Sequence, residues 1–271
     1  MAVVFRWEEI RDGKMPMPEA FAEIRDRLAN DLPKVRGFAG AVLCGSAANG
    51  KGTIRSDFDG IVAFEDAHWL SMQGYMRKLH LRAKRISVPL DVRCIGMDFV
   101  RNGRHGVSMS FADHLTLNVT SGNEIGEFPV HEFAFMRSDR KAEVAEYIAR
   151  KIANFRFLSM QLPALEGQIL HRFLRKLLEA PLHAARKILW LKGLLHGDDS
   201  RQAVISAWDG PSFDNLTATD DAYTAEVMRQ AESADRERYM EALLDIVSRT
   251  NECIGFLTDC LKIADSHRHT V

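Results

Sequence analysis

The chain has 271 residues with 46% hydrophobic and 27% charged side chains and a formal net charge of −1. The length exceeds the ~100–200 residues usual for one domain, so two domains are expected. The composition excludes a disordered or fibrous chain.

Pro16-Met17-Pro18 breaks the chain, and a helix is expected from there to about Leu32, with Phe21, Ile24, Leu28 and Leu32 as one apolar stripe. Pro33 ends it, and Gly37–Leu43 reads as a strand. The stretch Val42–Phe64 then joins two apolar runs, Val42–Cys44 and Ile61–Phe64, through a Gly-rich loop and Ser56-Asp57-Phe58-Asp59. Residues 66–84 read as a second helix with Trp69, Met72, Met76, Leu79 and Ala83 buried. Ser87–Gly96 is a third strand, alternating through Leu90, Val92 and Cys94 and carrying Asp91. Helix, strand, strand, helix, strand defines a small α/β sheet domain.

Between 97 and 136, the runs Val107–Phe111, His114–Val119 and Phe128–Phe135 surround a turn at Ser121-Gly122-Asn123. They read as an extension of the sheet or a hairpin. From Ser138, a plausible N-cap, helical periodicity takes over: Val144, Ile148, Ile152, Phe155, Leu158, then Ile169, Phe173, Leu177, then Leu182, Ile188, Leu189, Leu195. Gly193, Gly197, Asp198 and Asp199 mark a break. Short helices near 200–208 and 220–232 and one long helix from Asp235 to Ile263 follow. The expected class is α+β: a sheet-containing domain with a mixed sheet over 1–137 and an all-α helical bundle over 138–271.

The start, MAVVFRWEEIRDGK, lacks the basic opening and long apolar core of a signal peptide. No run approaches the ~20 apolar residues that span a bilayer. Cys44, Cys94, Cys253 and Cys260 form no CxxC pair and read as reduced packing residues. A soluble, cytoplasmic protein is expected.

The motif with chemical content is G-S-x-A-x-G-x5-S-D-x-D, made by Gly45, Ser46, Ala48, Gly50, Ser56, Asp57 and Asp59. In a strand, alternate side chains share a face, which puts Asp57 and Asp59 together with Cα atoms about 6.5 Å apart. Carboxylates that close stay ionised only beside a cation. A hard divalent ion is the natural partner, and magnesium characteristically takes one or two carboxylates plus phosphate oxygens. Asp91, on a neighbouring strand, would complete a site for a second ion; the competing reading pairs Asp91 with Arg93 as a structural ion pair. Gly45 allows close backbone approach to a phosphate, and Ser46 offers a hydroxyl and an N–H.

This stretch, residues 40–95, resembles the signature of the DNA polymerase beta-type nucleotidyltransferase superfamily, in the spacing of its minimal-nucleotidyltransferase branch. The resemblance implies that Gly45 and Ser46, with Ser56 beside them, hold a nucleoside triphosphate, ATP being favoured. It implies that Asp57, Asp59 and Asp91 bind two Mg2+ ions, and that Asp91 activates an acceptor hydroxyl. Lys51 and Gly52 depart from the usual acidic and small residues without touching the metal ligands. More loosely, Pro181–Trp208 resembles the helical domains of kanamycin- and lincosamide-type nucleotidyltransferases and HEPN domains. The HEPN Arg-to-His spacing is not kept between Arg175 and His183, so nuclease activity is not expected. His171, His183 and His196 read as surface or packing residues.

Charge is unevenly spread. Arg77, Lys78, Arg82, Lys84, Arg85, Arg93, Arg101 and Arg104 face only Asp91 and Asp98 in their segment, while 198–245 is strongly acidic. The first block would favour phosphates and the second a polyamine such as an aminoglycoside; solvated helix faces explain either equally well. Arg150, Lys151, Arg156, Arg172, Arg175 and Lys176 would suit an RNA backbone, but no aromatic-interleaved basic platform accompanies them. Trp190 and Trp208 read as core, and Glu124 and Glu127 as surface rather than a general base. The expected activity is transfer of a nucleoside monophosphate from a nucleoside triphosphate to a small-molecule or protein acceptor, with pyrophosphate released. The alternative is an antitoxin-like member that binds or modifies a HEPN-type protein. A nucleic-acid partner is disfavoured, no membrane partner is expected, and a homodimer is left open.

Overall fold

The computed structural model describes residues 3–48, 50, 52–135, 139–195, 200–232 and 235–267. The chain divides into two compact units: Lys14–Ser138, and Ala2–Gly13 with Asp139–Val271.

A short helix, α1 (Trp7–Arg11), belongs to the second unit. The first unit opens with α2 (Pro18–Asp31), which starts on Pro18 in its first turn and buries Phe21, Ile24 and Leu28. β1 (Phe38–Cys44) follows, then a one-turn helix α3 (Gly45–Ala48) and β2 (Phe58–Phe64). Next come α4 (Trp69–Arg85) and β3 (Leu90–Gly96). α5 (Met97–Arg101), α6 (Met109–Thr120) and the two-residue β4 (Glu124–Ile125) complete the unit's regular elements.

The four strands form one mixed sheet in the order β3-β2-β1-β4, with β1 antiparallel to both neighbours and β2 parallel to β3. Strand alternation divides the core. Ala41, Leu43, Phe58, Val62 and Val92 pack with the buried stripes of α2 and α4. Val42, Cys44, Ile61, Ala63 and Ile95 pack with Met97, Val100, Leu115, Phe128 and Phe133 on the other face.

Three expectations for this unit need correction. His114–Val119 is helical, not extended: Ser108 caps α6 by accepting the Phe111 N–H at 3.3 Å, and Ala112 and Leu115 supply a helical stripe. Its β-branched and aromatic content suggests strand locally, but burial of one helical face wins. Among the described residues only Glu124–Ile125 extends the sheet. Trp69 stays 45% exposed at the start of α4, its ring 5.6 Å from Phe64.

In the second unit, α7 (Arg140–Gln161) is capped by Asp139, which accepts the Ala142 N–H at 3.0 Å; Ser138 lies outside the described residues. α8 (Gly167–Leu191) runs through Pro181. Proline cannot bond the carbonyl four residues back, that of Leu177. The Cys253 thiol donates to that carbonyl at 3.7 Å. α9 (Arg201–Ala207), α10 (Asp214–Glu232), α11 (Arg236–Ser248) and α12 (Thr250–Ser266) complete the helices.

The last two correct the single long helix. Tyr239, Leu243, Ile246, Cys253, Leu257 and Cys260 make one unbroken stripe, so periodicity alone cannot show the break. The Ser248 and Thr250 hydroxyls donate to the carbonyls three residues back, Asp245 at 2.7 Å and Val247 at 2.7 Å, and tighten the backbone around Arg249.

The N-terminal segment joins this unit through Phe5. Its N–H donates to the Tyr223 hydroxyl at 3.2 Å, and its carbonyl accepts from the Tyr239 hydroxyl. The four cysteines are free thiols, and burial pushes Cys253 and Cys260 up to about 12. Among the described residues no helix is long and apolar enough to cross a membrane.

Candidate functional site

Register brings the three predicted carboxylates together. Asp57 precedes β2 by one residue, Asp59 is its second residue, and the parallel pairing sets Asp59 level with Asp91 on β3. One oxygen from each carboxylate lies within 4.8 Å of the others. All three have the parity of Ile61 and Ile95, the face opposite α2 and α4. Asp57 is buried, whereas Asp59 and Asp91 are half-buried, the Asp91 side chain being 41% exposed.

The turn is held next to them. β1 ends with Cys44 level with Asp59, and the next residue, Gly45, turns the chain at φ 79°. A Cβ at Gly45 would sit 3.4 Å from an Asp59 carboxylate oxygen, an ordinary contact, so it is the left-handed backbone angle that suits glycine. Gly50 takes a similar left-handed conformation, φ 69°. Ser56 is buried and organises the loop: its hydroxyl accepts the Thr53 N–H at 2.8 Å and lies 2.9 Å from the Ser46 hydroxyl. Ser46 itself is exposed. Arg55, which the sequence pattern did not single out, is 3% exposed, an unusual state for an arginine that only the folded chain reveals.

The electrostatics call for a cation. Burial, then Asp57 and then Asp91, push the Asp59 carboxyl up to about 7. Three hard oxygen donors in this arrangement fit a divalent ion such as magnesium. Arg93 approaches Asp91 at 3.7 Å with both side chains well exposed, so this ion pair coexists with the cluster and neutralises it weakly.

The helical unit holds a concentration of the opposite charge. Lys151 and Lys187 stand 5.4 Å and 4.8 Å from the Tyr147 ring centroid. Lys187 reaches Glu143 at 3.3 Å, and buried Glu179 takes Arg175 at 2.8 Å and Lys176 at 3.1 Å. Burial lowers both Lys151 and Lys187 from the ordinary lysine value. Burial, followed by Arg186, holds His183 well below the usual imidazole value, so it is a neutral packing residue. His171 bonds the Gly167 carbonyl at 2.7 Å within its helix, and His196 lies outside the described residues. Trp190 and Trp208 are half-buried, and Glu124 and Glu127 are exposed. Of the acidic stretch, Glu226, Glu241 and Asp245 line an open surface pocket with Arg238 and Tyr223.

Neither the protein-family models nor the curated proteins contain a match to this chain.

Proposed function

We propose that the chain is a magnesium-dependent nucleotidyltransferase that moves a nucleoside monophosphate, AMP from ATP, onto a hydroxyl of an antibiotic-like small molecule. One observation carries this reading: three carboxylates, one just before β2 and one each from β2 and β3, converge beside the Gly45–Ser46 turn. Asp57, Asp59 and Asp91 would hold the metal, which when bound neutralises phosphate charge and acts as a Lewis acid on phosphoryl oxygens. Gly45 keeps the turn free of a side chain, and the exposed Ser46 offers its hydroxyl and backbone N–H to phosphate. Asp91, whose side chain is 41% exposed, would take the proton of the acceptor hydroxyl. The new bond joins the acceptor oxygen to the α-phosphorus, the bond to the β-phosphate oxygen breaks, and pyrophosphate leaves with that electron pair.

The test is a panel of nucleoside triphosphates and hydroxyl acceptors scored for pyrophosphate release with Mg2+. Asp57→Ala should lower the rate roughly 10³-fold. Absence of release across the panel, or a rate unchanged by Asp57→Ala, rejects the reading.

A further inference from the structure

α4 is an amphipathic helix whose outer face has no role in the carboxylate site. Its inner face buries Met72, Met76, Leu79 and Ala83 against the sheet. At about 100° per residue, Leu70, Arg77, Leu81 and Lys84 fall within roughly 60° of one another on the outside, with Lys78 and Arg85 flanking them. All six are exposed. Leu70 and Leu81 are 78% and 60% exposed, about 16 Å apart along the axis.

The helix sequence, WLSMQGYMRKLHLRAKR, contains no acidic residue. Among the described residues, Arg82 alone of its cations has an ion pair, with Glu23 on α2. Arg77, Lys78, Lys84 and Arg85 have no acidic partner among the described residues. The helix dipole explains cations in the last turn, where Lys84 and Arg85 lie, but not Arg77 and Lys78 two turns earlier. Nor does it explain two leucines held in water on the same face.

We infer that the outer face of α4 docks the protein on an anionic lipid surface, the leucines entering the headgroup boundary and the four cations meeting lipid phosphates and carboxylates. Charge complementarity selects the anionic surface, and the leucines select lipid over nucleic acid. A nucleic-acid backbone would use the cations but leave Leu70 and Leu81 against phosphate, and His80 is a single exposed ring between Arg77 and Lys84, not the series of aromatic platforms on which successive bases stack. Long basic side chains reach outward to headgroups while their stems cover apolar surface, so cations beside leucines are complementary in depth. Each cation near an anionic membrane adds roughly five-fold to binding, so the face yields a reversible attachment rather than an anchor. A surface contact of this kind requires no membrane-spanning segment.

Vesicle co-sedimentation of the full chain tests this. Binding is expected to phosphatidylserine-rich vesicles and not to phosphatidylcholine, and it should fall away as salt shortens the screening length to about 3 Å near 1 M. Lys78→Glu with Arg85→Glu should weaken it at least ~25-fold, and Leu81→Ser about five-fold without changing the salt dependence. These side chains are exposed, so nucleotide transfer and the thermal midpoint should be unchanged in both variants. Asp57→Ala should bind vesicles as the parent does, which separates this inference from the proposed reaction. Equal binding to neutral vesicles, no binding at low salt, indifference to charge reversal, or duplex RNA binding without vesicle binding each overturns it.

Discussion

The sheet unit and the helical unit each bring like charges together, with opposite signs and by different means. In the sheet, Asp57, Asp59 and Asp91 are short side chains fixed by strand register, and two lie within three residues of each other. In the bundle, Lys151 and Lys187 reach the same tyrosine ring from different helices, α7 and α8, and carboxylates already accompany them. Short, register-locked carboxylates cannot move apart, so their repulsion is relieved by a proton, as the raised Asp59 carboxyl shows, or by a cation. Long lysine side chains with Glu143 and Glu179 nearby relax much of theirs within the fold. The contrast marks the carboxylate cluster as the group that could hold a metal ion.

The largest expected effect tests the acidic side. The Asp59 carboxyl is raised from 3.8 to about 7. Below pH ~4 both folded and unfolded chains hold this proton; as pH rises toward 7 the unfolded chain releases it first. Stability of the metal-free protein should therefore fall between pH ~4 and ~7, by about 1–2 kcal/mol after allowance for the site's partial solvation. Mg2+ should restore it above pH 7. Asp59→Asn should remove the slope, stabilise the metal-free protein at pH 8 and abolish the Mg2+ effect. Urea melts at several pH values with and without Mg2+ measure all of this. A metal-free Asp59→Asn less stable than the parent at pH 8 would break the comparison at its acidic end.

The basic side predicts a smaller effect of the opposite sign. Burial lowers the Lys151 ammonium from its ordinary value, so the folded chain gives up that proton before the unfolded one does. Stability tied to this group rises with pH as the solution passes the lowered value toward the unfolded one. Lys151→Met should stabilise the protein at pH 7 by about 0.5–1 kcal/mol, the lost contact with the Tyr147 ring offsetting part of the gain. The advantage should shrink at pH 10. A destabilised Lys151→Met at pH 7 would mean that its ring and carboxylate neighbours outweigh its burial, and the two regions would then differ in kind.

Legibility followed the same division. Asp57 and Asp59 are two apart in a strand pattern, and Asp91 sits on the strand paired beside them, so alternation and adjacency suffice to group them. Their setting was also readable: apolar runs at Val42–Cys44 and Ile61–Phe64 become the paired strands β1 and β2. The helical stripes of α2, α4 and α7 were legible for the same periodic reason. α6 was not, because His114–Val119 carries residues that favour strands while its helix depends on a cap at Ser108 and distant packing partners. The break at Arg249 leaves no mark on the hydrophobic pattern. Lys151 reads as part of a surface basic run, since Tyr147 and Lys187 enclose it only after α7 and α8 pair. The Phe5 clasp by Tyr223 and Tyr239 joins positions more than two hundred residues apart, beyond any local pattern.

The smallest effect concerns what keeps the basic side in register. Glu179 and Lys176 precede Pro181 on α8, whereas Arg186 and Lys187 follow it, so their relative placement depends on the helix passing the proline without a break. The carbonyl of Leu177, which Pro181 cannot satisfy, is met by the Cys253 thiol, and burial keeps that thiol protonated as a donor. Cys253→Ala removes the donor and a little volume, and should cost about 0.5–1 kcal/mol; a thiol is a weaker donor than a hydroxyl or amide. Cys253→Val fills the space but supplies no donor, so it should also destabilise. Cys253→Ser retains a donor and should be the mildest of the three. Thermal melts rank them, and amide exchange just after Pro181 should quicken in the alanine and valine variants only. A serine variant worse than valine would make volume, not the proline's orphaned carbonyl, the reason cysteine stands there.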